Sequence, residues 1–342
     1  MKHNTISLSL VILLGASFLA CNKSERSSPS SEARNSGDSA PADSTAGVLL
    51  KAKWPVGNRY VYRMDLDQHS TNQIPQMPKP MQQDVLMAMT YAITVLKETD
   101  GDGRELEMEF LANEMEVKMG EQVVMSFDSK ETAKDDAQNP FSAPYRKMIG
   151  TKLRMQMNAQ GRLEKVIGLE EWVDNVSGGA GAPGKGMIQQ QFNEGYFRQI
   201  ADFGMAFPTK PVHVGESWPF KMDLPAGPIG KIALDLKIAF KGWEDREQRK
   251  TVILASSGAL KSSPTGEAGP MGKMNIEKGK VAATSWFDPA LGALVESAGN
   301  QSMRIKGEMP GQQGGKGAAG GFTSDVAQKI KIKLVELTEG KK

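Results

Sequence analysis

A glycine-rich stretch from Gly179 to Gly186 is the part of the sequence that comes nearest to a nucleotide-binding motif. Its sequence, Gly-Ala-Gly-Ala-Pro-Gly-Lys-Gly, has the glycines and the lysine of a phosphate-binding loop. Such a loop also needs a preceding strand, and a Ser or Thr after the lysine to hold magnesium. Here a helical pattern precedes the stretch, and Gly186 occupies the hydroxyl position. We therefore interpret it as a flexible linker between helices.

Two other groups of polar residues have the types needed for metal binding or catalysis. Residues 100–105 have the acidic spacing of a calcium loop, but Arg104 replaces an oxygen ligand and Glu105 replaces the invariant glycine, which favours a hairpin turn. His69 and His213 are the only histidines after His3, and without cysteine partners they complete no zinc site unless carboxylates help. Neither histidine adjoins a nucleophile-bearing turn. We therefore expect a protein that is not an enzyme and that binds no metal and no cofactor.

Methionine is frequent, with 20 residues in the chain. Met87 and Met89 stand two residues apart, so they share one face of a strand. Three interpretations stay open: an ordinary core in which Met replaces Leu, a soft wall for an apolar ligand, or copper capture by Met77 and Met81. For the ligand interpretation, the candidate lining residues are Met87, Met89, Tyr91, Ile93, Phe192 and Phe197.

Cys21 is the only cysteine, and it follows an apolar segment directly. Lys2 and His3 begin a short basic region, and residues 6–16 have the length and the apolar character of a signal-peptide core. Ala20 before Cys21 has the form of a lipobox, in which the chain is cut before the cysteine and acquires a diacylglyceryl group and an N-acyl chain such as palmitate. The open alternative is ordinary cleavage that leaves Cys21 as a free thiol.

The lipid on Cys21 predicts a protein anchored to a bacterial membrane outside the cytoplasm. Asn22, rather than Asp, follows the cysteine. By resemblance to enteric lipoproteins this favours the outer membrane, on its periplasmic or surface side, over the inner one. Residues 22–47 contain no large apolar residue and predict a disordered tether. The 42 basic side chains nearly balance the 40 acidic ones, which argues against nucleic acid as a partner.

Two segments of the remaining chain are repeated in the same order. Residues 56–66 recur as residues 214–224: both begin with Val-Gly, continue with two aromatic residues and a base, and end in Met-Asp-Leu. Residues 157–163 and 287–294 then each place a glycine turn between strand-like runs. Two ordered matches indicate an internal duplication.

Alternating apolar residues predict long β-strands in both copies. The pattern is clear over residues 85–95, 232–240 and 330–334, and it slips between Leu111 and Glu114, where we predict a β-bulge. Between the copies, two apolar stripes with helical spacing occur over residues 169–176 and 188–203. We therefore predict a mainly β (α+β) fold: duplicated, long, curved antiparallel sheets, with two helices between the copies packed on the concave side.

The segment from Phe207 to Trp218, Phe-Pro-Thr-Lys-Pro-Val-His-Val-Gly-Glu-Ser-Trp, resembles a motif of an uncharacterised family of secreted bacterial β-sheet proteins. Members of that family also have an earlier G-x-x-Y start, here residues 57–60, and a late F-D-x-x-x-G turn, here residues 287–292. The resemblance covers most of residues 50–338. It implies a β-sheet fold and no particular activity.

The predicted organisation is a signal peptide (1–20), a lipidated cysteine and tether (21–47), a first β repeat (48–167), a helical connector (168–205) and a second β repeat (206–342). Two functions stay open for this arrangement. The first is a non-catalytic structural or interaction module of the cell envelope that contacts another envelope protein. The alternative is a carrier or sensor of a lipid or other apolar ligand in a curved β-sheet cavity. A packed interior would favour the first function, and an open apolar pocket the second.

Overall fold

The structure, a computed structural model, describes residues 47–74, 77–131, 142–179, 185–201, 206–225, 231–263, 274–308 and 321–340. Over these ranges the chain forms twelve β-strands and four α-helices. The strands are β1 (Arg59–Gln73), β2 (Met81–Thr99), β3 (Gly103–Met119), β4 (Gln122–Asp128), β5 (Lys152–Met157), β6 (Leu163–Ile167), β7 (Ser217–Pro225), β8 (Lys231–Arg246), β9 (Arg249–Ser263), β10 (Met274–Asp288), β11 (Ala293–Glu308) and β12 (Gly321–Thr338). The helices are α1 (Ser142–Met148), α2 (Leu169–Ser177), α3 (Lys185–Gln191) and α4 (Glu194–Ala201).

All of these strands belong to one antiparallel sheet. Their order is β6-β5-β3-β2-β1-β12-β11-β10-β9-β8-β7, and β4 pairs with the second half of β3 beside this path. β12, which follows the other strands in the chain, lies between β1 and β11 and pairs with both. The predicted mainly β fold with a curved antiparallel sheet is confirmed. The strands of the two predicted copies are joined edge to edge by β12.

One face of the sheet is apolar and buried, and the other is polar. In β12 every second residue from Phe322 to Leu334 is buried, while Lys329 and Lys331 between them are exposed. Such an alternation arises because successive side chains of a strand point to opposite faces. The predicted bulge is also confirmed: Thr90 pairs with Ala112 but Tyr91 with Phe110, so the residue between the two partners is extra.

The helices α2 to α4 lie in the connection between β6 and β7, which are opposite edges of the sheet. The chain must therefore cross from one edge to the other in this region. α2 ends at Ser177, and Gly178, which has φ 98°, caps it: its N–H donates to the carbonyl of Asp174. The second predicted stripe is divided between α3 and α4, because the Asn193 side chain accepts the N–H of Tyr196 and starts a new helix. Within the described ranges, the helices are all too short to cross a membrane.

Aromatic side chains fix these helices on the apolar face of β2 and β3. The ring of Phe110 on β3 stacks on Trp172 of α2, with 5.4 Å between centroids, and meets Phe192 edge-on at 5.9 Å. The hydroxyl of Tyr196 on α4 lies 3.7 Å from the sulfur of Met89 on β2. Each aromatic pair adds about 0.5–1.5 kcal/mol beyond the area that it buries. The helices therefore complete the core of the first half of the sheet.

A row of three glutamines interrupts the apolar face at the centre of the sheet. Gln68 on β1, Gln328 on β12 and Gln301 on β11 are direct cross-strand partners, and all three are buried. The amide of Gln301 donates to Oε1 of Gln328, whose own amide donates to Oε1 of Gln68. These two hydrogen bonds form only when the three strands are in this register.

The predicted duplication has a counterpart in two turns. Gly57 before β1 has φ 88° and donates to the carbonyl of Val95 on β2 at 2.8 Å; Gly215 before β7 has φ 92° and donates to Phe240 on β8 at 2.7 Å. Glycine suits both positions because side chains disfavour this left-handed conformation. The matched geometry favours the duplication, which stays a prediction.

Candidate functional site

A trough lies on the polar face of the sheet, the face that the helices do not contact. Its widest part has a volume of about 770 Å³ and is bordered by seven strands, β4, β3, β2, β1, β12, β11 and β10. The side chains that line it from this face belong to Asp65, Asp67, Leu86, Ala88, Glu114, Glu116, Ser126, Asp128, Thr284, Trp286, Ala298, Asn300, Lys329 and Lys331. The side chains of these strands therefore leave a hollow in the polar face.

Two smaller hollows, of about 460 and 450 Å³, continue the trough along the strands. The first shares Asp67, Asn300 and Lys329 with the widest part, and both contain His69 and Ser302. On β12 the lining residues run from 331 to 325. Six residues of strand span about 20 Å. The three hollows together thus form an elongated trough parallel to β12 and β11.

Short side chains make the floor of the trough. Ala298, Asn300 and Ser302 stand at successive outward positions of β11, and Ala327 stands beside Ser302 on β12. Because these side chains are short, open space remains above them, and the longer side chains at the margins enclose it. One wall is rigid: the indole N–H of Trp286 donates to Glu244 at 2.8 Å.

The wide part of the trough is its acidic end. Five carboxylates, those of Asp65, Asp67, Glu114, Glu116 and Asp128, line it with Lys329 and Lys331, and the first four form ion pairs with cationic side chains. Arg63, which lies beside the trough, hydrogen-bonds to Asp65 at 2.9 Å and to Glu114 at 3.4 Å. The hydrogen bond from Arg63 lowers the pKa of Glu114, and Lys130 adds to the effect. Glu114 therefore carries its charge at neutral pH.

The narrow part of the trough is its basic end. It contains Lys278, Lys280, Lys329 and Arg304, together with His69. The two carboxylates at this end already have cationic partners: Asp325 accepts two hydrogen bonds from Arg304, at 2.7 and 2.8 Å, and Asp67 lies 3.8 Å from Lys329. Among the described residues, Lys278 and Lys280 form no ion pair. The lysines without an ion pair therefore lie at this end, whereas the cations at the wide end are held by carboxylates.

The residues that the sequence suggested as an apolar lining lie on the other face of the sheet. Met87, Met89, Tyr91 and Ile93 alternate along β2 and are buried, and Phe192 and Phe197 are buried beside them. Ring contacts connect part of this set: Tyr196 meets Phe192 at 5.1 Å and Phe197 at 5.3 Å. The structure therefore groups the candidate residues in the core, and their role as a ligand lining stays a prediction.

Each of the two histidines pairs with a carboxylate at the surface. Nδ1 of His69 lies 2.5 Å from Asp84, and Nδ1 of His213 lies 3.2 Å from Glu216. Over the described ranges, no three metal-binding side chains are grouped closely enough to hold an ion. Cys21, the signal peptide, the tether and most of the Gly179–Gly186 stretch lie outside the described residues.

Sequence reasoning missed the trough. Its floor combines residues 298–302 with residue 327, and its walls come from residues 65–69 and 278–286. The available signal was the run of Ala, Asn and Ser at the outward positions of β11, where an exposed strand usually carries longer polar residues. The floor residues on β11 and the wall residues on β1 become neighbours only through the pairing of β12 with both strands, which the sequence does not show.

The fold and the trough define the class of this molecule: a large antiparallel β-sheet protein with a charged groove on its polar face and helices on its apolar face. Within that class, the chain belongs to the family of unknown function DUF6263, whose model matches residues 102–307, from β3 to β11. This agrees with the predicted resemblance to an uncharacterised family. No curated protein matches the chain significantly.

Solved structures give distant likenesses. Lipovitellin, in a structure titled for its lipid–protein interactions, aligns at 8% identity and a TM-score of 0.46 over 85% of this chain and 26% of its own. This chain thus spans about a quarter of the length of lipovitellin. DynF from the dynemicin pathway of Micromonospora chersina aligns at 8% identity and a TM-score of 0.19, over 85% and 91% of the two chains. A DUF1329 family protein from Desulfovibrio piger aligns at 6% identity and a TM-score of 0.13, over 80% and 85%. TM-scores this low do not establish a common function.

Proposed function

We propose that this protein is a non-catalytic interaction module of the bacterial envelope, which binds a ligand or a partner segment in its trough. The observation that carries the proposal is the concave polar face. Its widest part, about 770 Å³, falls within the range of about 300–1,000 Å³ that is usual for ligand sites. The short floor residues Ala298, Asn300 and Ser302 leave the trough accessible along its length.

The shape of the trough favours an elongated occupant. Residues 325–331 of β12 follow it for about 20 Å, which accommodates an extended peptide of about six residues. Lys278 and Lys280 at one end and the carboxylates at the other would give such an occupant one preferred direction. Electrostatic complementarity of this kind contributes more to specificity and association rate than to affinity.

We infer a non-catalytic role from the surroundings of the histidines. Neither His69 nor His213 has a hydrogen bond to a hydroxyl group in the described part of the chain. A nucleophile activated by histidine requires such a contact. The described side chains therefore support binding rather than bond cleavage.

Photo-crosslinking tests the trough directly. A photoreactive phenylalanine analogue placed at Asn300 or at Leu86 in the full chain should capture a partner in living cells. The same analogue at Val335, which is exposed on β12 outside the trough, is the matched control. We expect adducts at both trough positions, and their loss when Ala298→Trp fills the floor. Equal labelling at Val335, or no adduct in the trough, would refute the proposal.

The second candidate function is an apolar-ligand carrier, and one observation favours it. On the apolar face, Nε2 of Gln83, Oδ1 of Asn113 and Oγ of Ser324 are buried and have no hydrogen-bond partner in the described part of the protein. A buried polar group without a partner is destabilising by about 1–3 kcal/mol. The polar end of a bound amphipathic molecule would satisfy such groups.

Native mass spectrometry distinguishes the two candidates. The full chain, purified from envelopes and exchanged into volatile buffer, should show no lipid-sized adduct beyond its covalent lipid once Ala298→Trp fills the trough, if the trough alone binds. A noncovalent adduct that persists in Ala298→Trp and that organic solvent removes would instead favour the carrier. Gln83→Leu should then reduce the adduct, while Gln73→Leu, at an exposed position of β1, should leave it unchanged.

Membrane attachment through Cys21 is part of the proposal and has its own test. We expect Cys21→Ser to release the protein from the membrane fraction and to abolish incorporation of a palmitate analogue, because the acyl chains supply the anchoring energy. Density fractionation of the wild-type protein should place it with the outer membrane. Retention of the variant in the membrane fraction would exclude lipid on Cys21 as the anchor.

A further inference from the structure

We propose that the basic end of the trough is a binding site for a phosphate group whose carrier is neutral or cationic elsewhere. The inference rests on the proposed function, because it assigns a ligand chemistry to the same trough. It concerns the hollow of about 460 Å³ formed by β1, β12, β11 and β10, and its extension of about 450 Å³.

The strand register assembles the site. His69 on β1 is opposite Ala327 on β12, Ala327 is opposite Ser302 on β11, and Ser302 is opposite Lys280 on β10. These four residues therefore form one row across the strands. It presents an imidazole, a hydroxyl and an ammonium group, and the short side chain of Ala327 leaves space beside the imidazole. Neighbouring strands are about 4.8 Å apart, so the long side chains of His69 and Lys280 stand on both sides of a gap wide enough for a tetrahedral anion.

Neighbouring rows add further donors. Lys329 on β12 is opposite Asn300 on β11, and both line the same hollow. Lys278, two residues from Lys280 along β10, lines the extension. Amide, hydroxyl and ammonium donors from four strands thus surround one volume. Lysine binds phosphate as a point charge, and several donors are needed to satisfy its oxygens.

Local charge makes this end attractive to an anion. Asp325 is neutralised by Arg304, and Asp84 holds Nδ1 of His69 on the side away from Ala327. Lys278 and Lys280 form no ion pair within the described residues. Two uncompensated positive charges in a concave surface raise the local concentration of anions.

The acidic end limits what kind of molecule carries the phosphate. A long polyanion such as a nucleic acid would have to continue into the part of the trough that five carboxylates line, where Lys329 and Lys331 are already paired with Asp67 and Glu296. Further phosphates would have to compete with these carboxylates for the cations, which disfavours a ligand with charge along its whole length. A single phosphate with a neutral or amine-bearing remainder matches both ends.

Calorimetric titration of the full chain in non-ionic detergent, with inorganic phosphate and with O-phosphoethanolamine, tests the site. We expect saturable binding of both probes, and tighter binding of O-phosphoethanolamine because its amine reaches toward Asp67. The double variant Lys278→Ala/Lys280→Ala should weaken binding by about tenfold or more, since it removes two charge-assisted hydrogen bonds to the phosphate. The matched control is Lys237→Ala/Lys241→Ala, on β8 outside the trough, and should change affinity less than about twofold.

Flotation with vesicles identifies the source of the phosphate. Cys21→Ser protein that floats with vesicles containing phosphatidylethanolamine, but not after Lys278→Ala/Lys280→Ala, would assign a lipid headgroup. Binding of the soluble probes without flotation would assign a soluble or glycan-linked phosphate. Equal loss in both double variants, or no saturable binding of any probe, would overturn the inference. If crosslinks in the trough persist in Lys278→Ala/Lys280→Ala, the proposed interaction module stands even where the phosphate site fails. The two proposals can therefore fail separately.

Discussion

At the scale of single residues, two glycines with nearly the same backbone have different surroundings. Gly161, in the turn between β5 and β6, has φ 72°, and Gly292, between β10 and β11, has φ 70°. A Cβ on Gly161 would meet nothing within 4 Å, whereas one on Gly292 would lie 2.6 Å from the backbone nitrogen of Lys53. Lys53 is held there because its N–H donates to the carbonyl of Gly292 at 2.9 Å. A substitution at Gly161 therefore introduces backbone strain alone, whereas one at Gly292 introduces backbone strain together with steric overlap.

This contrast predicts the effect of alanine at each position. Gly161→Ala should lower the free energy of unfolding by about 1–2 kcal/mol, the cost of a left-handed non-glycine residue. Gly292→Ala should lower it by about 1–3 kcal/mol more, because the segment at Lys53 must move. Urea denaturation of both variants measures the difference. Equal losses would show that Lys53 does not pack against this turn in solution.

The tyrosines give a prediction about alkaline pH. Burial raises the pKa of all five tyrosines, Tyr60, Tyr62, Tyr91, Tyr145 and Tyr196, above the ordinary value of 10.0. For Tyr145 burial raises the pKa to about 12, although the hydrogen bond to Gln191 acts in the opposite direction. The unfolded chain loses these protons near pH 10, and the folded chain holds them to higher pH. The stabilisation is therefore complete below about pH 10 and is lost progressively above it.

Absorbance of tyrosinate during a pH titration measures this behaviour. We expect little ionisation of the native protein near pH 10, followed by a steep, cooperative rise when the protein unfolds. The same titration in denaturant is the control and should show all tyrosines ionising near their ordinary pKa. Gradual ionisation of several tyrosines at pH 10, with unchanged circular dichroism, would contradict the burial of these hydroxyl groups.

At the scale of elements, the glutamine row predicts that the side chain of Gln328, on the central strand β12, stabilises the fold. Gln328→Leu keeps the size of the side chain but leaves Gln68 and Gln301 without their shared partner. We expect a loss of about 1–3 kcal/mol in the free energy of unfolding. Gln73→Leu, on the exposed face of β1, should change stability by less than about 0.5 kcal/mol. Denaturation curves of the two variants measure these changes. An unchanged free energy of unfolding in Gln328→Leu would mean that the row does not stabilise the register.

The elements themselves could largely be predicted from the sequence, because their signals are local. Alternation identified β2, β8 and β12, a phase change identified the bulge at Leu111, and an apolar stripe with helical spacing identified α2. The division between α3 and α4 was missed, since a single side chain, Asn193, interrupts an otherwise regular apolar stripe. Periodicity shows which face of a strand is apolar but contains no information about its neighbours.

The candidate site depends on that missing information. The trough exists because β12 brings β1 beside β11, and those strands are more than two hundred residues apart in the chain. His69 and Ser302 carry no local signal of proximity, since neither stands in a recognisable motif. The apolar residues Met87, Met89 and Tyr91 could be assigned to one face, but whether that face is filled or binds a ligand is a property of packing.

At the scale of the whole molecule, the strand order predicts a gradient of backbone protection. β1 and β12 are central strands with partners on both sides, whereas β6 and β7 are edges of the sheet. We expect amide hydrogens of β12 to exchange with solvent more slowly than those of β7, because edge strands open without disturbing the rest of the sheet. Hydrogen–deuterium exchange mass spectrometry measures both strands in one sample. Faster exchange in β12 than in β7 would contradict the central position of β12.

The position of β12 also determines when the molecule can be completed during its synthesis. β1 to β11 emerge before β12, at the ribosome and again during export, and whenever they fold without it the edges of β1 and β11 have no partner. Each open edge can pair with strands of other copies, so the growing chain is exposed to aggregation and depends on chaperones until residues 321–338 emerge. We expect a chain that stops before β12 to keep both edges open and therefore to aggregate.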